Sequence, residues 1–216
     1  MKIRPPLASP FLRSLSERGF TLIELLVVIS IIAVLAGLLF PAMGAVRTSA
    51  RKASAANDCM QIVNAVKNFY TDYGKYPITA TSSGDDDEKT VKFGGKGSSN
   101  SAIIDELRAV KFDHNTRKVR YLEVKELPGA TDNPPRGAVI KSGTAAAASS
   151  SWYDPWKEPY LVFVDGSYSG QVEITDLGDS KDTVIKNSTL NVGVAAASLG
   201  PATSAKKFET PVGSWK

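Results

Sequence analysis

Little in these 216 residues can carry chemistry: there is one cysteine, Cys59, and one histidine, His114. A single thiol excludes an intrachain disulfide. No glycine-rich phosphate loop, no zinc-ligand spacing and no nucleophile elbow occurs. Charge of one sign is scarce too, with 26 Lys and Arg against 22 Asp and Glu for a formal net charge of +4. Lys2, Arg4, Arg13 and Arg18 precede the first apolar run, so no basic patch is left that would argue for nucleic acid. The chain is expected not to be an enzyme and to need no cofactor.

What the chain does have is one long apolar run. Leu25 to Val46 holds no charge, and its length suits a membrane-spanning helix, which takes roughly 20 apolar residues. Glu24 stands just inside its N-terminal edge. An isolated carboxylate in lipid costs several kcal/mol and persists with a partner or a function. Two readings are open: Glu24 lies at the headgroup level and faces water, or it is paired. Positive charge ahead of the run places the N-terminus in the cytoplasm, with Arg47, Arg51 and Lys52 pulling the other way. The first flank dominates, so the rest of the chain is expected outside the inner membrane.

The stretch Arg18-Gly19-Phe20-Thr21-Leu22-Ile23-Glu24-Leu25-Leu26-Val27-Val28-Ile29 resembles the N-terminal signature of type IV pilins and type II secretion pseudopilins. The resemblance covers about the first quarter of the chain. It implies that a membrane-embedded peptidase cuts after Gly19 and methylates the new amine of Phe20. It also implies that Glu24 neutralises that amine on a neighbouring subunit during assembly. A buried carboxylate is tolerable when a cation is delivered to it, and removing either partner strands the other. A secretory signal peptide is cut after its apolar segment. Here the cut precedes the run, so the anchor stays. Many type IV pilins close a C-terminal loop with a disulfide, and the lone Cys59 therefore favours a pseudopilin.

In order, residues 1–19 read as a leader, 20–46 as a transmembrane and assembly helix, 47–77 as its amphipathic continuation, and 78–216 as a periplasmic head. Pro41 interrupts the apolar run, either as a point where the helix loosens in a filament or as the membrane exit. Ala53, Ala56, Met60, Val63, Val66, Tyr70 and Tyr73 recur at helical spacing and are expected to face a core. Gly74 and Pro77 end the helix. A continuous helix from Phe20 to Tyr73 would be about 80 Å long.

Residues 78–101, with Asp85-Asp86-Asp87-Glu88, read as a solvated loop, since EF-hand ligand spacing is missing. Ser101 to Val110 has helical spacing, and Tyr121 to Val124 reads as a strand or helix end. Residues 127–151 read as a Pro-, Gly- and Ala-rich loop. Tyr160 to Val164 and Gln171 to Thr175 suggest a hairpin about Gly166 to Gly170, and Thr189 to Ala197 a further strand. Asp176, Asp179 and Asp182 read as surface carboxylates of a loop.

Two further segments extend the resemblance. Tyr70 to Pro77 and Asp154-Pro155-Trp156-Lys157-Glu158-Pro159-Tyr160 look like segments of the major pseudopilins, with Lys157-Glu158 in place of Gly-Asn. The end, Gly200 to Trp215, resembles their C-terminal loop, which carries calcium-binding aspartates. Here Glu209 is the only acid in the matching stretch, so calcium is not expected.

The sequence thus predicts an α+β chain, pilin-like, with a long N-terminal helix packed on a small antiparallel sheet. The expected role is structural, in a type II secretion pseudopilus. Its partners would be copies of itself, minor pseudopilins, the peptidase and methyltransferase, the inner-membrane secretion platform and the bilayer. The competing readings are a type IV pilus subunit and a membrane-anchored binding module that does not polymerise.

Overall fold

The structure is a computed structural model that describes residues 19–78, 90–95, 98–128, 139–142, 149–174, 188–201 and 212–215. In chain order the elements are α1 (Leu22–Tyr73), β1 (Thr90–Phe93), α2 (Ser101–Leu107), β2 (Glu126–Pro128), β3 (Val139–Ser142), β4 (Ser149–Trp152), β5 (Leu161–Asp165), β6 (Val172–Ile174), β7 (Ser188–Leu190), β8 (Val194–Ser198) and β9 (Val212–Gly213). The arrangement is α+β and pilin-like: a long N-terminal helix followed by an antiparallel sheet. Two compact units divide the chain, Met1–Val46 and Arg47–Lys216.

In the first unit, α1 turns its large apolar side chains outward, from Leu22 at 81% exposure to Val46 at 65%. The single hydroxyl in this stretch is satisfied locally, as Ser30 Oγ donates to the Val27 carbonyl at 2.7 Å. Among the described residues no single helix is long and apolar enough to cross a membrane. Leu22–Leu38 and Met43–Tyr73, on either side of Pro41, pass by length and composition when taken together. The bend between Leu38 and Met43 falls where Pro41 interrupts the apolar run. Proline removes one intrahelical hydrogen bond and crowds the preceding turn, which is reason enough for a break there.

In the second unit the helix buries Ala55, Cys59, Ile62, Val63, Ala65, Val66 and Phe69. Ala53, Met60 and Tyr70, expected in the core, are exposed, while Val63 and Val66 are buried as expected. This helix carries two overlapping apolar stripes, and the buried one contains Ile62 and Phe69. Full burial of one such side chain contributes about 1.5–3 kcal/mol, so the stripe holding both wins over the one ending in Tyr70. The helix stops at Gly74, whose φ of +67° is left-handed and whose N–H reaches the Tyr70 carbonyl at 2.8 Å.

The main sheet has the order β1-β5-β8-β9, antiparallel throughout. β5 is buried along its whole length because both of its faces are covered. Val162 and Val164, with Val194 and Ala196 of β8, join the cluster formed by α1 and α2. Leu161 and Phe163, with Ala195 and Ala197, pack instead with Val172 and Ile174 of β6. Asn100, fully buried, ties the layers together. Its Nδ2 donates to the carbonyls of Trp152 (2.9 Å) and Tyr160 (3.0 Å), and its Oδ1 accepts the Trp152 N–H (2.9 Å).

Four expectations change. The stretch 78–101 is not all loop, since β1 lies within it and pairs with β5. The stretch 127–151 contains β3 and β4, which with β2 form a three-stranded sheet. The hairpin is absent: β6 pairs with β7, because β1 and β8 already occupy both edges of β5. The expected strand 189–197 is two strands, β7 and β8, in different sheets. Tyr121 to Val124 forms no regular element, but the Tyr121 and Leu122 N–H groups both close the end of α2 by donating to the Leu107 carbonyl.

The turn at Asp154-Pro155-Trp156 is built around a buried carboxylate. Asp154 Oδ1 accepts the N–H groups of Trp156 (2.8 Å) and Glu158 (2.9 Å), and Oδ2 accepts the Ser198 hydroxyl (2.6 Å). Burial pushes the Asp154 carboxyl above its ordinary range, while the Ser198 hydroxyl and the turn N–H groups pull against that shift. Trp156 packs against the same cluster as α1. Lys157 adopts φ +77°, the left-handed conformation that a glycine would take without penalty. A non-glycine residue there costs about 1–2 kcal/mol, partly offset by the greater chain entropy that glycine loses. Lys157→Gly is therefore expected to stabilise the protein by about 0.5–1 kcal/mol. A urea titration of the full chain checks this: the midpoint should rise at unchanged slope, and a lower midpoint contradicts the strained turn.

Candidate assembly site

The site predicted from sequence is the start of α1. Gly19 is exposed, and a Cβ added there would meet nothing within 4 Å. Among the described residues, nothing in this chain's own packing requires a glycine at that position. Phe20 is 80% exposed.

Thr21 and Glu24 cap the helix reciprocally. The Thr21 N–H donates to Glu24 Oε2 at 2.9 Å, and the Thr21 hydroxyl donates to the same oxygen at 2.7 Å. In return the Glu24 N–H donates to Thr21 Oγ1 at 3.3 Å. This is a capping box, in which a Thr and a Glu three residues on satisfy each other's orphaned amides. The partial positive charge of the helix N-terminus favours the carboxylate as well. Both Thr21 bonds fall on Oε2, and among the described residues Oε1 has no donor. Among the described residues, Glu24 is thus held in place through one oxygen only. The sequence reading missed the cap, although Thr-x-x-Glu ahead of an apolar run is its signature.

Among the described residues, no other chemistry is brought to this site. Pro41 lies within α1, and its side chain falls outside the described residues. Among the described residues no group of three His, Cys, Asp or Glu side chains could hold a metal ion. The acidic run Asp85 to Glu88, the trio Asp176, Asp179 and Asp182, and most of the C-terminal loop with Glu209 lie outside the described residues. Ser214 and Trp215 are described. Ser214 exchanges hydrogen bonds with Ala196, and Trp215 packs on the outer face of the sheet.

Cys59 and His114 do not form a reactive pair. Cys59 is buried in the core against the Val212 carbonyl, and burial raises its thiol far above the ordinary range. His114 sits beyond α2 with Nδ1 3.7 Å from Glu106 Oε1.

Residues 15–40 match the prokaryotic N-terminal methylation motif. The chain is 41% identical over 63 residues to type II secretion system core protein G of Escherichia coli (strain K12), covering 29% of this chain and 43% of that protein. Core protein G of Klebsiella michiganensis is 34% identical over 68 residues, covering 32% of this chain and 48% of that protein. Core protein G of Pectobacterium carotovorum subsp. carotovorum is 36% identical over 63 residues, covering 29% and 40%. The chain therefore spans less than half the length of the curated relatives it matches. No solved structure matches it. The chain thus carries a prepilin-type methylation motif at the start of a capped apolar helix, is similar to core protein G over about 30% of its length, and is pilin-like in fold.

Proposed function

We propose that this chain is a structural subunit of a type II secretion pseudopilus. A prepilin peptidase cuts it after Gly19, and the new amine of Phe20 is methylated. Residues 20–46 hold it in the inner membrane with the N-terminus cytoplasmic and the head periplasmic. The subunits then polymerise into a periplasmic filament that supports protein export, alongside minor pseudopilins and an inner-membrane platform. The chain itself catalyses nothing and is the substrate of the peptidase.

One observation carries this reading: among the described side chains, large apolar groups from Phe20 to Leu38, and again Met43 and Val46, are exposed all around the helix. Soluble monomers rarely expose a contiguous apolar patch beyond a few hundred Å². A helix apolar on every side belongs in lipid or among other helices. The same surface suits both, because helix packing in a membrane relies on close van der Waals fit rather than on escape from water. Likeness to core protein G favours secretion over a pilus among the filament readings.

At the start of that surface, Glu24 Oε1 is open to a neighbour's Phe20 amine while Oε2 keeps its cap. Glu24→Leu strands that amine where water is excluded. Breaking a buried pair on one side costs about 3–5 kcal/mol, repeated at every subunit. The variant should therefore be inserted and cleaved yet form no filaments. Electron microscopy alongside membrane fractionation reads this out, and normal filaments from processed Glu24→Leu sink the pairing.

Thr21→Val removes only the cap, at about 1 kcal/mol. Amide exchange of the first turn of α1 in the micelle-bound chain should speed up about fivefold, which is that energy expressed as a rate. Unchanged exchange contradicts the cap.

Processing is tested at Gly19, where this chain has room for a side chain. Gly19→Val should fold normally and accumulate at precursor mass, because the obstacle lies in the peptidase. Mass spectrometry of the native protein should give N-methylated Phe20 as the first residue. Normal cleavage of Gly19→Val would count against prepilin processing.

A further inference from the structure

We propose that the loop after α2 is a cationic docking surface for the acidic run Asp85-Asp86-Asp87-Glu88 of a second copy of this chain, an inference that rests on the filament reading for the presence of that copy. Between Lys111 and Arg120 the loop carries four cations (Lys111, Arg117, Lys118 and Arg120) against one carboxylate, Asp113. All four cations are exposed. Among the described residues, no carboxylate lies within ion-pairing distance of Arg117, Lys118 or Arg120. Two of them rest on aromatic rings instead: the Arg117 guanidinium lies 5.4 Å from the centre of Tyr73, and the Lys118 ammonium 5.0 Å from that of Phe112.

The loop is fixed from beneath. The nearly buried Glu106 carboxylate accepts the N–H groups of Asp113 (2.9 Å), His114 (3.2 Å) and Asn115 (2.9 Å). Asn115, fully buried, donates from Nδ2 to the carbonyls of Glu106 (2.9 Å) and Val119 (2.7 Å). Its Oδ1 accepts the Tyr73 hydroxyl and the Val119 N–H, each at 3.0 Å. Lys118 is held at φ +57°, a left-handed conformation costing about 1–2 kcal/mol for such a residue. Strain that the surroundings enforce marks positions worth explaining by function. Here it presents a lysine between two arginines on a rigid base, a pre-organised arrangement that reduces the entropy lost on binding.

The partner is identified by charge. Asp85 to Glu88 is four consecutive carboxylates. Complementary patches of this kind steer encounter and set register more than they add raw affinity. Contact between two different patches on identical chains is heterologous, and a heterologous contact whose rotation does not close into a ring propagates into an open helical filament. A patch satisfied within its own chain would leave nothing to propagate.

The test uses the full-length chain in detergent micelles, mixed in equal parts from natural-abundance and 15N-labelled stocks and treated with a zero-length carbodiimide. Expected are heavy–light crosslinked peptides joining Lys118 to the run Asp85 to Glu88. They should vanish when Asp85, Asp86 and Asp87 are all changed to Lys. Crosslinks found only between peptides of the same label, or none at these residues, overturn the proposal.

A second arm guards against misfolding. The triple variant Arg117→Glu, Lys118→Glu, Arg120→Glu should lose the heavy–light crosslinks between the loop and the acidic run, and so should the triple Asp→Lys variant. Mixing the two should restore heavy–light crosslinks between these segments, because each then supplies the patch that complements the other. Failure of the mixture to give them also overturns the proposal. Electron microscopy of wild-type filaments is read separately. Filaments without these crosslinks defeat this contact alone, whereas the crosslinks without filaments defeat the pseudopilus.

Discussion

The architecture of this chain turns on the need of one carboxylate for donors. Glu24 opens an apolar helix, where an unpartnered charge costs several kcal/mol in lipid. The chain itself supplies part of the answer, through the Thr21 N–H and hydroxyl on one oxygen. Among the described residues the other oxygen receives no donor. The helix beyond Glu24 is equally incomplete by itself, because its described side chains up to Leu38, and Met43 and Val46 after them, offer apolar surface in every direction. In the filament we propose, both deficits are removed together, because like helices pack side by side and each brings its processed Phe20 amine to its neighbour's carboxylate.

The second unit solves a different problem, that of holding a sheet firmly on a helix. Small residues on the helix, Ala55, Cys59 and Ala65, let β5 and β8 approach, while Ile62 and Phe69 fill the space between them. Polar fasteners are placed where the layers meet. Tyr160 donates its hydroxyl to Asp58 at 2.6 Å, Ser198 closes on Asp154, and Asn100 bridges β4 to the start of β5. Burial raises the carboxyls of Asp58 and Asp154 despite these donors. A group whose folded pKa is raised favours the folded state more as pH falls, and this contribution is complete below the unfolded value of about 3.9. These two aspartates therefore do not drive acid unfolding of the head.

The parts legible in the sequence are those fixed by local rules. An uncharged run, a carboxylate at its edge and a Gly at the end of the striped helix each act over a few residues, and the corresponding structure is present. The apolar stripe was legible only in part, because two stripes one residue apart overlap on this helix. Choosing between Phe69 and Tyr70 requires knowing which surface the sheet covers. The partners of β5 were not legible at all: β1 comes just after an acidic run, and β8 arrives only once β6 and β7 have passed. Strand pairing between distant segments is set by which edges are free, and adjacency in sequence favoured β6 wrongly. At the candidate site one interaction was missed. Thr21 was read as part of a motif, while its cap on Glu24 is plain helix chemistry.

The claim that Glu24 completes its coordination with a neighbour is open to direct measurement in assembled material. Subunits carrying a 15N-labelled Phe20 amine would be mixed with subunits carrying a 13C-labelled Glu24 carboxyl, and solid-state NMR would record transfer between the two labels. Because the labels sit on different chains, a cross-peak reports contact between copies only. A strong cross-peak is expected at ion-pair distance, about 4 Å or less. No transfer in well-formed filaments would show that Glu24 keeps only its Thr21 cap, and the assembly role assigned to it would be wrong.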